Sequence, residues 1–239
     1  MTGKQIGSKY GFIANGLFQS EEEIANSATV KGYKALPGYI KYVDRNGDGI
    51  ITAAQDQGYV GKSATPKHTG SLNLFGNWKG FDFDLLFSWG LGNVVALTGQ
   101  YTASGSEGTQ DNTSFTKPFY HGGNSPTFLV ENSWTPEHTN AEFPRLEITG
   151  PSNNNGYSST FWYRNGNYMR LKTAQIGYNF PKKWLNPAGI EGLRLYVEGY
   201  NLLTFSGLTK YNIDPESPAV NNGYYPQQRT YTLGVKLTF

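Results

Sequence analysis

The sequence predicts an all-β chain, an antiparallel transmembrane β-barrel segment with long outer loops, from three observations. The closing stretch reads Tyr231-Thr-Leu233-Gly-Val235-Lys-Leu237-Thr-Phe239, with a large apolar or aromatic residue at every odd position and a small or polar one at every even position. Side chains of a strand alternate between faces, so the stretch has one apolar wall and one wet wall. A second segment repeats the pattern: Phe81, Phe83, Leu85, Phe87 and Trp89 share a face, with Asp82, Asp84 and Ser88 opposite and Leu86 the one apolar intruder. The composition agrees. Aromatic residues make up 15% of the chain and it holds 30 Gly, yet mean hydropathy is −0.52. No run of about 18 apolar residues exists for a transmembrane helix, whereas barrel strands carry a much weaker hydropathy signal per segment.

The elements follow in order. Ser20-Glu-Glu-Glu23 reads as a capping box and predicts a short helix over 21–27, with its acidic first turn favoured by the helix dipole. Strands begin near Thr69. Ser71–Trp78 and Phe81–Trp89 are separated only by Lys79-Gly80, a hairpin signal. Residues 91–160 are rich in Gly, Ser, Thr, Asn and Pro without sustained period, as in the long outer loops of a membrane barrel. Their many aromatics argue against a linker. Strands return over 168–180, ended by Pro181, then over 193–201, and last over 231–239. Roughly six long strands result, too few to close a membrane barrel, for which about eight is the usual minimum.

Several function classes are excluded or left without support. The chain has no cysteine, hence no disulfide framework and no thiolate metal site. A net charge of +2 gives no electrostatic case for nucleic acid. His68, His121 and His138 stand far apart among polar residues, without the spacing of a zinc motif. A hydrolase would need a nucleophile with its base or a placed carboxylate pair, and no motif supplies either. The start, Met1-Thr-Gly-Lys, has no secretory leader pattern. An exported protein would therefore need sequence upstream of it.

One motif resembles a metal site. Asp44-Arg-Asn46-Gly-Asp48-Gly49-Ile50 follows the order of a calcium loop: oxygen side chains at the first, third and fifth places, Gly at the sixth, and a backbone carbonyl from Ile50 at the seventh. The twelfth place is Gln55 rather than Glu, and Asp56 stands one place late. The candidate ligands for a structural Ca2+ are Asp44, Asn46, Asp48, Ile50 and Asp56. The alternative is an Asx-rich turn without metal.

Taken together, ordered blocks along the chain resemble the SusC/RagA family of TonB-dependent outer-membrane proteins. These blocks are Tyr10-Gly-Phe12, Gly16-Leu-Phe18, Asp44-Arg-Asn46-Gly-Asp48-Gly, Gly61–Pro66, Trp134-Thr-Pro136, Tyr168-Met-Arg170-Leu-Lys172, Gln175-Ile-Gly177-Tyr178, Asn201-Leu-Leu-Thr204, Asp214-Pro-Glu216 and the strand ending in Phe239. The resemblance implies a plugged barrel of about 22 strands, of which this chain would be the C-terminal strands, without the plug and the leader. It also implies import of oligosaccharides or peptides across the outer membrane, a SusD-like lipoprotein over the mouth, and TonB acting through the absent N-terminal part. Phe119, Tyr120, Trp134 and Trp162 are then candidate substrate-facing aromatics, or else loop packing. Arg170, Lys172, Arg194 and Glu198 would line the lumen. Tyr231, Leu233, Val235, Leu237 and Phe239 resemble the signal read by the barrel-assembly machinery. The competing reading is a soluble all-β carbohydrate-binding module with a calcium-stabilised loop. In such a module the rings from Phe81 to Trp89 would pack inside a protein core.

Overall fold

The computed structural model describes residues 3–4, 6–97, 127–146, 155–217 and 227–239. They fall into two compact units. Among the described residues no helix is long and apolar enough to cross a membrane.

One unit is a five-stranded antiparallel sheet. Its strands are β1 (His68–Trp78), β2 (Phe81–Leu91), β3 (Tyr168–Asn179), β4 (Gly192–Ser206) and β5 (Thr230–Thr238), in the spatial order β5-β4-β3-β2-β1. The β1–β2 hairpin closes at Lys79-Gly80, both with positive φ (49° and 92°), as a two-residue turn of this hand requires. Among the described residues five long strands stand where the sequence suggested roughly six. The alternation in 193–201 continues beyond Asn201, whose φ of 54° marks a break, so β4 runs on to Ser206.

Register turns the strand pattern into two continuous surfaces. Phe83, Ile176, Val197 and Leu233 form one cross-strand row, and Phe81, Tyr178, Leu195 and Val235 form the next. Leu85, Ala174, Gly199 and Tyr231 form a third. Asp84, Gln175, Glu198 and Thr232 make the matching row on the opposite face. The alternation of β3 is not continuous. The register shifts between Leu171 and Thr173: Lys172 is an extra residue against β2, while on the β4 side Asn201 and Leu202 stand opposite it. This bulge keeps Met169 and Leu171 on the same face as Ala174, Ile176 and Tyr178, and it turns Arg170 to the polar side with Ser88 and Thr204.

The other unit includes the described residues within 3–65, 94–97, 127–146 and 155–164. It is built from short strand pairs. Lys9–Gly11 pairs with Gly58–Gly61 and Ala14–Leu17 with Ile40–Tyr42, both antiparallel; Thr29–Val30 lies parallel to Ile50–Ile51. The helix spans Glu21–Ala25, shorter than predicted. Its cap is the expected one, with Ser20 Oγ accepting from the Glu23 amide at 3.1 Å, while the Glu23 carboxylate reaches back to the Gln19 amide at 2.7 Å. Phe12, Phe18, Ile40, Ile51, Leu97, Leu129, Phe143 and Trp162 are buried. The described part of the expected outer loop thus contributes to a packed core.

Candidate functional site

The two faces of the sheet define its chemistry. On the apolar face Phe81 is 53% exposed, Ile176 57%, Val197 54% and Leu233 77%. Each apolar side chain left in water forgoes roughly 1.5–3 kcal/mol of burial, so a continuous face of this kind needs an apolar partner. The rings from Phe81 to Trp89 do not pack inside a protein core, as the soluble module would require. Aromatic residues stand at both ends of the face: Trp78, Phe81 and Tyr178 at one, Trp89 and Phe205 at the other. Phe81 and Trp89 are roughly 26 Å apart along β2, which matches the height of a barrel's lipid-facing band with its two aromatic girdles.

The polar face carries a charge network across three strands. Arg194 on β4 reaches Asp82 on β2 with two donors, Nε to Oδ2 at 2.9 Å and Nη2 to Oδ1, and Nη2 also donates to Gln175 Oε1 at 2.8 Å. Asn179 donates to the same carboxylate at 2.7 Å. Gly177 lies between the partners. A Cβ there would sit 2.6 Å from Arg194 Nη2, so the missing side chain is the corridor through which the guanidinium passes. Phe75 also lies on this face, opposite Asp84, and breaks its polarity.

A second cluster forms where a loop folds back onto this face. Arg170, its side chain 3% exposed, donates to Asp214 at 2.7 Å, Glu216 at 2.6 Å and Thr204 at 2.9 Å. Lys172, the bulge residue, adds a 3.1 Å contact with Glu216. A polar cleft of about 400 Å³ opens beside the clamp, lined among others by Thr209, Asn212, Gln227 and Arg229. Sequence reasoning placed Arg170 and Lys172 in the lumen and singled out Asp214-Pro-Glu216, but it did not pair them.

In the other unit, the calcium-like loop is closed by its own hydrogen bonds. The Asp44 carboxylate accepts from the amides of Gly47 and Gly49, both at 2.7 Å, and Asp48 accepts from Ile50 at 2.9 Å and Asn46 at 2.8 Å. The Gly49 amide is the main reason that the Asp44 carboxyl lies below the usual range. Asp56, the late candidate ligand, braces the loop in this structure. It is fully buried, and its two oxygens accept from the amides of Arg45 (2.8 Å) and Thr52 (2.7 Å), bracing the ends of the loop. Among the described residues no three Asp, Glu, His or Cys side chains gather as a metal cluster would.

The candidate substrate-facing aromatics divide. Trp162 is fully buried and donates to the Asn155 carbonyl at 2.7 Å. Trp134 is 6% exposed and donates to Gln19 Oε1 at 3.1 Å, with its ring against Gly38. Both are core residues here and present no ring face to a ligand, which corrects the sequence reading. Phe119 and Tyr120 lie outside the described residues. The same unit holds an aromatic cavity of about 420 Å³, walled by Phe12, Tyr33, Ile51 and Tyr157, that the sequence did not reveal. Burial, then the facing Tyr33 hydroxyl, pushes the Tyr157 phenol up to about 12.

Comparison with known proteins agrees with this geometry. No protein-family model matches the chain. It is 31% identical to TonB-dependent receptor P3 of Formosa agariphila over 251 aligned residues, covering 99% of this chain and 22% of that receptor. TonB-dependent receptor P26 of the same organism is 29% identical over 94% of the chain, again 22% of that receptor. The chain thus spans about a fifth of the length of the curated relatives it matches. Solved structures of the RagAB peptide transporter (TM-score 0.62, 22% identity) and of the RagAB peptide importer in the open-open state (TM-score 0.59, 25% identity) each cover 97% of this chain. It covers 23% and 22% of those chains. Sheet and sequence together liken the chain to part of the β-barrel of TonB-dependent receptors. Within that class the fold likeness is to the SusC/RagA kind.

Proposed function

We propose that this chain forms part of the wall of an outer-membrane importer driven through TonB, and that it has no enzymatic role. The observation that carries this reading is the sheet's division into an exposed apolar face bounded by aromatics and a polar face laced by Asp82, Gln175 and Arg194. The first suits hydrocarbon and the second a wet lumen. In this reading the cargo is an oligosaccharide or a peptide, a SusD-like lipoprotein covers the mouth, and TonB engages a part of the protein outside this chain. The likeness to TonB-dependent receptors and to the RagAB structures supports it. Tyr231, Leu233, Val235, Leu237 and Phe239, on the exposed face of β5 and its end, would form the assembly signal.

Deleting the gene for the full-length protein and measuring uptake of labelled oligosaccharides and peptides, with and without functional TonB, tests the reading. Loss of uptake of one class, matched by the loss on inactivating TonB, is expected. Unchanged uptake of both would refute it. For the assembly signal, replacing Phe239 with Ala in the full-length protein should lower its outer-membrane level; a normal level would remove that role.

A further inference from the structure

The end of the sheet where the β1–β2 hairpin turns carries a set of side chains that the pore reading leaves unused. Both connections at this end are short: Lys79-Gly80 joins β1 to β2, and 180–191 joins β3 to β4. Short turns mark the periplasmic end of an outer-membrane barrel, longer loops the extracellular end. The second connection contains the single helical turn Lys182–Leu185, in which Leu185 is buried while Lys182, Lys183 and Trp184 are exposed. Trp184 is 60% exposed and Trp78, at the end of β1, 69%. Lys79 holds its ammonium 4.7 Å from the centre of the Trp78 ring. None of Lys79, Lys182 and Lys183 has a carboxylate partner among the described residues, and Glu191 is the one acidic residue in the two connections. The result is three unpaired ammonium groups beside two exposed indoles, at the edge of an apolar face.

We propose that this end binds anionic phospholipid headgroups of the periplasmic leaflet, with Lys79, Lys182 and Lys183 on the phosphates and Trp78 and Trp184 seated at the interface. The physical grounds are direct. Indoles prefer the headgroup level because their rings are apolar and their N–H is polar. Lysine stems lie along apolar surface while the ammonium reaches the charged layer. Unpaired cations near an anionic leaflet are attracted to it over about a Debye length. Charge complementarity therefore selects an anionic lipid over a zwitterionic one.

The inference rests on the membrane reading of the sheet, and its test separates the two. The full-length protein, reconstituted in vesicles of phosphatidylcholine with or without phosphatidylglycerol, is extracted in mild detergent and its retained lipid identified by native mass spectrometry. Preferential retention of phosphatidylglycerol is expected. It should fall several-fold in a variant carrying Lys79→Gln, Lys182→Gln and Lys183→Gln, and stay unchanged in Lys67→Gln at the opposite end. Raising ionic strength on the unaltered protein should lower retention in the same way, which keeps the test decisive if the triple variant does not assemble. Equal retention of both lipids, unmoved by salt, would overturn the headgroup site and leave the membrane reading intact. A protein that incorporates into neither vesicle would overturn both.

Discussion

Arg194 clasps Asp82 from two strands away, and it does so across the bare backbone of Gly177. The pair is partly buried, at 20% and 26% side-chain exposure. Removing one partner by Arg194→Gln or Asp82→Asn leaves the other without its charge-assisted bonds and should cost roughly 1–3 kcal/mol. Gly177→Ala should cost a similar amount by displacing the guanidinium, and combining it with Arg194→Gln should add little. Denaturant unfolding of the full-length protein in lipid vesicles measures all four variants. Strict additivity would contradict the corridor.

The Arg170 clamp makes a stronger demand. Its buried guanidinium satisfies two largely buried carboxylates, so Arg170→Ala leaves Asp214 without its cation and Glu216 with Lys172 alone, and should destabilise by about 3 kcal/mol. Arg170→Lys should recover only part of this, because a single ammonium cannot fork to both carboxylates. Limited proteolysis should show faster cleavage within 207–217 in both variants. Unaltered cleavage would show that the loop is held by other contacts.

The Asp44 loop predicts a pH dependence of definite sign. Its carboxyl lies below the ordinary range because the Gly49 amide, with help from neighbouring amides, stabilises the charged form. The loop's closure is therefore complete above the unfolded carboxyl value and is lost as pH falls through the lower folded one. In hydrogen exchange read by mass spectrometry, Asp44→Asn should exchange faster than the wild type over 44–56 at neutral pH. The difference should vanish in acid below the folded value. A difference independent of pH would contradict the assignment.

Trp162 tests the correction to the aromatic reading. Trp162→Ala should destabilise by about 3–5 kcal/mol through the cavity left behind. At matched outer-membrane levels, Trp162→Phe should leave substrate affinity unchanged. A loss of affinity with stability intact would return the ring to a ligand-facing role.

Which of these features the sequence disclosed depends on the range of the interactions behind them. The β1–β2 hairpin and the face of Phe81–Trp89 are local and alternate with period two, so they could be read directly. The Ser20–Glu23 cap was equally legible. The strand 168–179 was harder, because its extra residue at Lys172 reverses the alternation midway and only pairing with β2 reveals it. Arg170 meets partners 44 and 46 residues away, a contact no spacing rule anticipates. Trp134 and Trp162 sat in stretches without period, where an exposed loop and a packed one have the same composition. Asp56 stood one place beyond the closing ligand position in order, and nothing in its spacing announced that its oxygens accept from the Arg45 and Thr52 amides.

The most direct measurement of the central claim is site-by-site solvent access. The chain contains no cysteine, so single ones report without interference from it. In the full-length protein, cleared of any cysteine elsewhere and assembled in the outer membrane, Phe83→Cys and Ile176→Cys should resist a charged, water-soluble maleimide. Asp84→Cys and Gln175→Cys, in the adjoining row of the opposite face, should react with it. Reaction at all four positions alike, or the reverse pattern, would contradict a sheet with hydrocarbon on one side and water on the other.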